Sequence, residues 1–264
     1  MSCSTIMFSL FLVSPCGAGG AGGGSGDLND AVAAAVANPQ RLAQDLEKDL
    51  TRHPAKVLSF FDIEPGMTVL DLFSGGGYYT EMLNSIVGED GKVIAHTNQA
   101  YIPFVGEIYQ LRYANGRLAN TETIISEADD LEFDENSLDA VLMVLTWHDF
   151  LYADAENGWN SIDEDRLMQK LCTAMKPGAV LGLIDHVAKN GGEAAQVAKD
   201  LHRIDPQVVR DSFADSCFEL QGEAGFLANP EDDHTQAVFD KTIRGKTDRF
   251  VFKFVRRGQS KVPE

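Results

Sequence analysis

The sequence predicts an α/β fold in which a doubly wound, mostly parallel sheet lies between two layers of helices. Two observations carry this. Strand-like apolar runs alternate with helix-length segments from about residue 67 to residue 185, the pattern of a parallel sheet covered on both faces. Residues 68–80, TVLDLFSGGGYYT, pass from an apolar strand through a carboxylate and three glycines into a helix. Glycine alone permits both the turn and the close approach of a ligand to such a backbone.

Taken in order, residues 27–63 read as a helical lead-in, with Leu42, Leu46 and Leu50 recurring every four residues as a candidate apolar stripe. Pro54 opens a second short helix carrying Val57, Leu58 and Phe61, and Pro65-Gly66 punctuates before the sheet begins. Strands are expected at about 67–73, 92–96, 121–126, 138–146 and 179–185, with helices at about 77–88, 104–114, 161–176 and 193–214. Ser161 and Glu164 have capping-box spacing, and Pro177-Gly178 should stop the helix that follows. Further on, 217–220 and 249–255 are strand-like and flank a polar segment, 229–247. That segment is long enough to cover a site rather than simply connect two strands.

At 264 residues the chain can bury a full core. Forty acids against 22 bases give a net charge of −18, a surface that repels phosphate backbones and argues against nucleic acid as a partner. Lys241, Arg244, Lys246, Arg249, Lys253, Arg256, Arg257 and Lys261 cluster near the end of the chain and read as the solvated face of the closing strands. Cys3, Cys16, Cys172 and Cys217 show neither metal spacing nor a C-x-x-C pair. Neither a disulfide nor a zinc site is expected from them, and Cys172 reads as a small core residue.

Residues 1–26 differ from the rest, with a short apolar run at 6–13 followed by Ser14-Pro15-Cys16 and a glycine-rich tract. The run is too short to span a bilayer. It resembles the end of a secretory signal, with Cys16 as a possible membrane tether. No Lys or Arg precedes Arg41, so export to the cell envelope and a plain cytoplasmic tail both remain open.

The acid of the glycine joint separates two ligand classes. A dinucleotide fold wants G-x-G-x-x-G and an acid about 20 residues later. Here position 80 is Thr, and the second strand runs into His96-Thr97-Asn98 with no acid. Asp71 before Gly75-Gly76-Gly77 instead resembles motif I of class I S-adenosylmethionine (SAM)-dependent methyltransferases. The resemblance implies a Rossmann-like three-layer α/β/α fold closed by an antiparallel C-terminal strand. It also implies a single domain over 27–264, with 217–257 as the closing strand pair. It implies that Asp71 meets the methionine amino group, and that Phe73 stands where the family has a glycine. Ser74, Gly75, Gly76 and Gly77 would pass beneath the cofactor. Thr97 or Asn98 would take the place of the usual ribose-binding acid. Glu127 and Ala128, from a stretch resembling the family's acidic D-A-x-x-L-P-F run, would meet the adenine.

Thr146-Trp147-His148-Asp149-Phe150 follows the fourth strand and Asp185-His186 ends the fifth. Both lie at carboxyl ends of parallel strands, where open α/β sheets hold ligands. Thr146 is a candidate cofactor contact. An imidazole oriented by a carboxylate suits removal of an acceptor's proton, which makes His148 with Asp149 the first catalytic candidate and His186 with Asp185 the second. Hydrogen-bonded structural histidines are the competing reading. No third ligand is evident for a metal. Arg203 reads as a surface salt-bridge element, and His53, His96 and His234 have no constellation around them. Together with Arg244-Gly245-Lys246-Thr247-Asp248-Arg249-Phe250, these segments resemble a group of predicted bacterial methyltransferases that often carry export signals. The expectation is methyl transfer from SAM to a small-molecule acceptor. The alternative is a SAM-binding or envelope binding protein on the same fold.

Overall fold

The computed structural model describes residue 1, residues 25–189 and residues 191–258; Cys3, Cys16 and nearly all of the glycine-rich tract lie outside the described residues. Three helices lead in: α1 (Ser25–Val36), α2 (Ala43–Arg52) and α3 (Pro54–Phe60). The alternating unit follows as β1 (Thr68–Leu72), α4 (Tyr78–Val87), β2 (Lys92–Asn98), α5 (Ile102–Tyr113), β3 (Thr121–Ser126) and β4 (Leu138–Val144). It continues with α6 (Glu164–Ala174), β5 (Met175–His186), α7 (Ala194–Leu201), α8 (Pro206–Ala214), β6 (Phe218–Ala224) and β7 (Arg249–Arg256).

The seven strands lie in the order β3-β2-β1-β4-β5-β7-β6. Neighbours from β3 to β5 pair in parallel, and β7 enters antiparallel between β5 and β6. Both faces of the central strands are buried: Leu70, Leu72, Val141 and Met143 face one apolar cluster, while Val69, Ala140 and Leu142 face the other. The order reverses between β1 and β4, so the carboxyl ends of these strands form the rim where a crevice opens. The registers Asp71↔Leu142 and Val144↔Ile184 set the β1, β4 and β5 ends beside one another. No described helix is long and apolar enough to cross a membrane.

Several expectations are corrected. A disulfide, not expected from the sequence, joins Cys172 of α6, read as a small core residue, to Cys217 just before β6. The leucine stripe of α2 does not face the core, since Leu46 is 46% and Leu50 80% exposed. Ion pairs turn the helix instead: Asp45 is buried against Arg112 of α5, and Arg41 reaches Asp49 at 2.7 Å. Helix α6 is capped by Asp163, which accepts from the Arg166 N–H at 2.9 Å, rather than by Ser161. It ends at Ala174, before Pro177-Gly178, because β5 already begins at Met175. The helix expected over 193–214 breaks at His202 (φ 53°) and restarts under an Asp205 cap. Arg203 is not a surface residue; it is fully buried and ion-pairs with Asp232 at 2.8 Å. Arg249 and Arg256 are likewise buried, donating to the carbonyls of Thr51 and Cys172.

Candidate active site

The loop after β1 is held by β2 from behind. The Phe73 N–H donates to His96 Nδ1 at 3.3 Å, and the Ser74 N–H donates to the His96 carbonyl at 2.7 Å. His96 Nε2 lies 3.1 Å from the Ser126 carbonyl, which fixes the proton on Nε2 and leaves Nδ1 to accept. Burial pulls this imidazole down to about 4, so it stays neutral and keeps that tautomer. Phe73 stands at φ 59°, a left-handed conformation that normally goes to glycine. Aromatic packing offsets the strain, with ring centroids 5.0 Å from Phe150, 5.2 Å from His96 and 5.3 Å from Tyr101.

Asp71 is buried at the end of β1 and accepts from Thr80 Oγ1 of α4 at 2.6 Å. Burial raises its carboxyl to about 6 despite that hydrogen bond. The three glycines differ in what they meet. At Gly75 (φ 56°) an added Cβ would stand 3.9 Å from Tyr101 and Val105, so there is room. At Gly76 it would lie 2.6 Å from Ile108, and at Gly77 2.6 Å from the Tyr113 hydroxyl. Helix α5 therefore lies across the last two glycines, and its packing alone requires them.

The remaining cofactor candidates fall into two groups. Thr97 turns to the loop, 3.1 Å from Ser74 Oγ. Asn98 and Glu127 are brought together: Asn98 Nδ2 donates to Glu127 Oε2 at 2.8 Å, and Asn160 donates to Oε1 at 3.0 Å. Ala128 is buried next to them in sequence. Thr146, two residues past β4, has a buried hydroxyl without a hydrogen-bond partner among the described residues, a polar group poised for something outside the chain.

Past β4 a short 3-10 turn, Trp147–Phe150, presents His148 and Asp149 to the rim. Asp185 at the end of β5 anchors this turn, accepting from the His148 N–H at 2.9 Å and from His148 Nδ1 at 2.8 Å. It also accepts the His186 N–H at 2.7 Å. On the other side of the ring, His148 Nε2 lies 3.3 Å from Asp149 Oδ1. Burial pulls the His148 pKa down, but the charges of Asp185 and Asp149 outweigh it and raise it to about 9. Two carboxylates flank the ring rather than the one expected from the sequence, so the geometry gives an imidazole of raised pKa. His186 sits behind, its ring 6.1 Å from His148 and its Nδ1 2.7 Å from the Thr247 hydroxyl. Burial, with the nearby positive charges of His148 and the arginines, holds it well below the ordinary histidine value.

Three residues of the site were not singled out from sequence. Tyr101 donates to Asp149 Oδ2, Tyr152 donates to Oδ1 at 3.3 Å, and His202 Nδ1 lies 3.6 Å from Oδ1. Tyr101 alone carried a usable signal, since it follows directly on the β2 carboxyl end. Its ring packs on Phe73, and its Cδ2 borders Gly75. The glycine loop and the imidazole–carboxylate cluster therefore meet at one tyrosine, the loop at its ring and the cluster at its hydroxyl. The polar segment between β6 and β7 does reach this rim: the Val238 N–H donates to the Leu201 carbonyl at 3.1 Å, and the Phe239 ring lies 4.8 Å from His202.

Comparison with known proteins agrees with this architecture. A family model for protein-L-isoaspartate (D-aspartate) O-methyltransferase matches residues 31–109. A ubiquinone/menaquinone biosynthesis C-methyltransferase of Escherichia coli is 28% identical over 124 residues, 47% of this chain. The match spans 44% of that relative, under half its length. Among solved structures, a SAM-dependent methyltransferase from Aquifex aeolicus aligns with a TM-score of 0.54 at 21% identity, covering 80% of this chain and 93% of its own. The methyltransferase bound to the Trm112 activator in Haloferax volcanii aligns at 0.57 and 17% identity, covering 88% and 99%. A geranyl diphosphate C-methyltransferase from Streptomyces coelicolor, solved with S-adenosyl-L-homocysteine, aligns at 0.53 and 14% identity, covering 85% and 89%. The fold is that of the class I SAM-dependent methyltransferases.

Proposed function

We propose that this chain, built on the class I methyltransferase fold, is a SAM-dependent methyltransferase acting on a small-molecule acceptor. The observation that carries the reading is the juxtaposition at Tyr101 of the Asp71 glycine loop and the His148–Asp149–Asp185 cluster. The residues present suit SAM: a buried carboxylate for the methionine amino group, an open Gly75, the linked Asn98 and Glu127 for the nucleoside, and the Thr146 hydroxyl, which has no hydrogen-bond partner among the described residues. When bound, SAM supplies an electrophilic methyl group on a sulfonium, which leaves as S-adenosylhomocysteine once its carbon bonds to the acceptor.

The chain's own contribution is placement and proton handling. Asp71 holds the donor from the β1 end. Tyr101 and the 3-10 turn fix the distance between donor and acceptor sides. The acceptor's oxygen, nitrogen or carbon lies against His148 and Asp149; because His148 holds its own proton up to about 9, its uptake of the acceptor's proton, and with it turnover, should rise with pH toward that value. His186, tied to Thr247, supports His148 from behind. The acidic surface favours a small acceptor over a polyanion.

The test is release of S-adenosylhomocysteine when the protein is offered SAM and a fractionated small-molecule extract. Acceptor-dependent release that is lost in His148→Ala supports the reading; none from any fraction favours the alternative. That alternative, a binding protein on the same fold, draws support from α5 lying over Gly76 and Gly77. The Cys172–Cys217 disulfide favours an oxidising compartment, and with it the exported reading of the N-terminal segment.

A further inference from the structure

The cluster at the β4–β5 rim has a geometry that proton handling alone does not need. His148 Nε2, Asp149 Oδ1 and His202 Nδ1 all lie within 4.8 Å of one another. The first two are 3.3 Å apart and the last two 3.6 Å. Donor atoms bonded at about 2.1 Å to one tetrahedral ion stand about 3.4 Å from each other, and about 3.0 Å at neighbouring octahedral positions. In both of these pairs, each including Asp149 Oδ1, the atoms already have the spacing of ligands on a shared ion. We propose that the three atoms hold a single divalent first-row transition-metal ion, a site of two imidazoles and one carboxylate.

Three further features fit a ligand set. His148 Nδ1 is engaged by the Asp185 carboxylate at 2.8 Å, so its Nε2 is aimed at the cluster. A carboxylate behind a metal-bound histidine is the usual means of fixing ring orientation and tautomer. Tyr101 and Tyr152 hold the Asp149 carboxylate by its two oxygens, which orients it while leaving a lone pair on Oδ1. His202 is the last feature. It follows α7 at φ 53°, a left-handed conformation unfavourable for a residue with a β-carbon, and this turns its imidazole over the cluster, edge-on to His148 at 5.4 Å.

Two imidazole nitrogens select zinc, iron(II), cobalt or nickel over magnesium and calcium. Three protein ligands leave at least one position open, and the His202 side chain is 23% exposed, so the open side can admit a small ligand. Metal binding does not depend on the transferase reading. A second consequence does rest on it: an acceptor oxygen or nitrogen bound at the open position would lose its proton more readily and face the glycine loop at Tyr101.

The experiment titrates the full chain, stripped with EDTA and dialysed, with Zn2+, Co2+ and Mg2+, followed by calorimetry and by the visible spectrum of Co2+. The site predicts one equivalent of Zn2+ or Co2+, a low-symmetry Co2+ spectrum, and no comparable Mg2+ uptake. Asp185→Asn should weaken binding by about 10–100-fold, the usual effect of losing a carboxylate behind a ligand histidine. His202→Gly, which keeps the left-handed backbone at ease, should weaken it more while circular dichroism shows the fold kept. Failure of the parent to take up stoichiometric metal would overturn the site, as would full affinity in a folded His202→Gly or in His202→Asn. A parallel SAM titration keeps the two readings separate, since a chain that binds SAM but takes up no metal contradicts this inference alone.

Discussion

Replacing Asp71 with asparagine should make the protein more stable and a poorer binder of SAM. The carboxyl is buried and raised to about 6 from an ordinary 3.8. A folded-state value above the unfolded one means that the folded protein holds the proton more tightly. Stability is therefore fullest below pH 3.8, falls as pH rises through about 6, and at pH 7 is lower by about 3 kcal/mol for this group. Asparagine has the carboxyl's shape and can still accept from Thr80, but carries no charge to desolvate. At pH 7 Asp71→Asn should recover up to about 3 kcal/mol, or up to about 10 °C in Tm for a domain of this size. At pH 4.5 the folded parent is itself mostly protonated there, and the gain should shrink to about 1 kcal/mol. Affinity should move the other way, since losing a charge-assisted hydrogen bond costs about 1.5–3 kcal/mol, or roughly 10–150-fold in Kd. In the parent, SAM affinity should fall about tenfold per pH unit below about 6. Denaturation at both pH values with SAM calorimetry reads all of this. A variant destabilised at both pH values with unchanged affinity would refute the reasoning and make Asp71 only a tie to α4.

Three other outcomes follow from the same geometry. His148→Ala should leave the SAM Kd unchanged and lower kcat by about 100-fold or more; the fold should survive because Asp185 keeps its two backbone donors at 2.9 and 2.7 Å. Unaltered kinetics would return His148 to a structural role. Reducing Cys172–Cys217, which closes a separation of 45 residues, should cost up to about 4 kcal/mol, visible as a lower denaturation midpoint in dithiothreitol; an unchanged midpoint would contradict it. Gly77→Ala, with φ 75° and the Tyr113 hydroxyl 2.6 Å from the new Cβ, should cost about 2 to 5 kcal/mol. A parent-like melt would show that α5 does not pack on the loop.

What the sequence disclosed, and what it did not, has a physical pattern. Asp71, the glycines and the α4 start were legible because the joint is local, written in thirteen consecutive residues. The His148-Asp149 and Asp185-His186 segments could be set on one rim because consecutive parallel strands end there, but each histidine was matched to its sequence neighbour, and the hold of Asp185 on the His148 ring was not legible. His202 could not be set there, because a helix that looked continuous breaks at that residue and turns it back to the rim. The Leu42–Leu46–Leu50 stripe misled because Asp45, one residue away, is drawn inward by Arg112 of α5, 67 positions along the chain. The disulfide was hidden for a similar reason: Cys172 and Cys217 meet only because α6 and the entry to β6 come together at that edge of the fold. Phe73 was legible as a departure from the glycine pattern, but the aromatic cluster that sustains its backbone was not.

The central claim is that the Asp71 loop binds SAM, and calorimetric titration of the full chain with SAM, S-adenosylhomocysteine and NAD tests it most directly. The account predicts saturable one-to-one binding of the first two and none of NAD. No heat from SAM or S-adenosylhomocysteine, with a folded protein confirmed by circular dichroism, would contradict it.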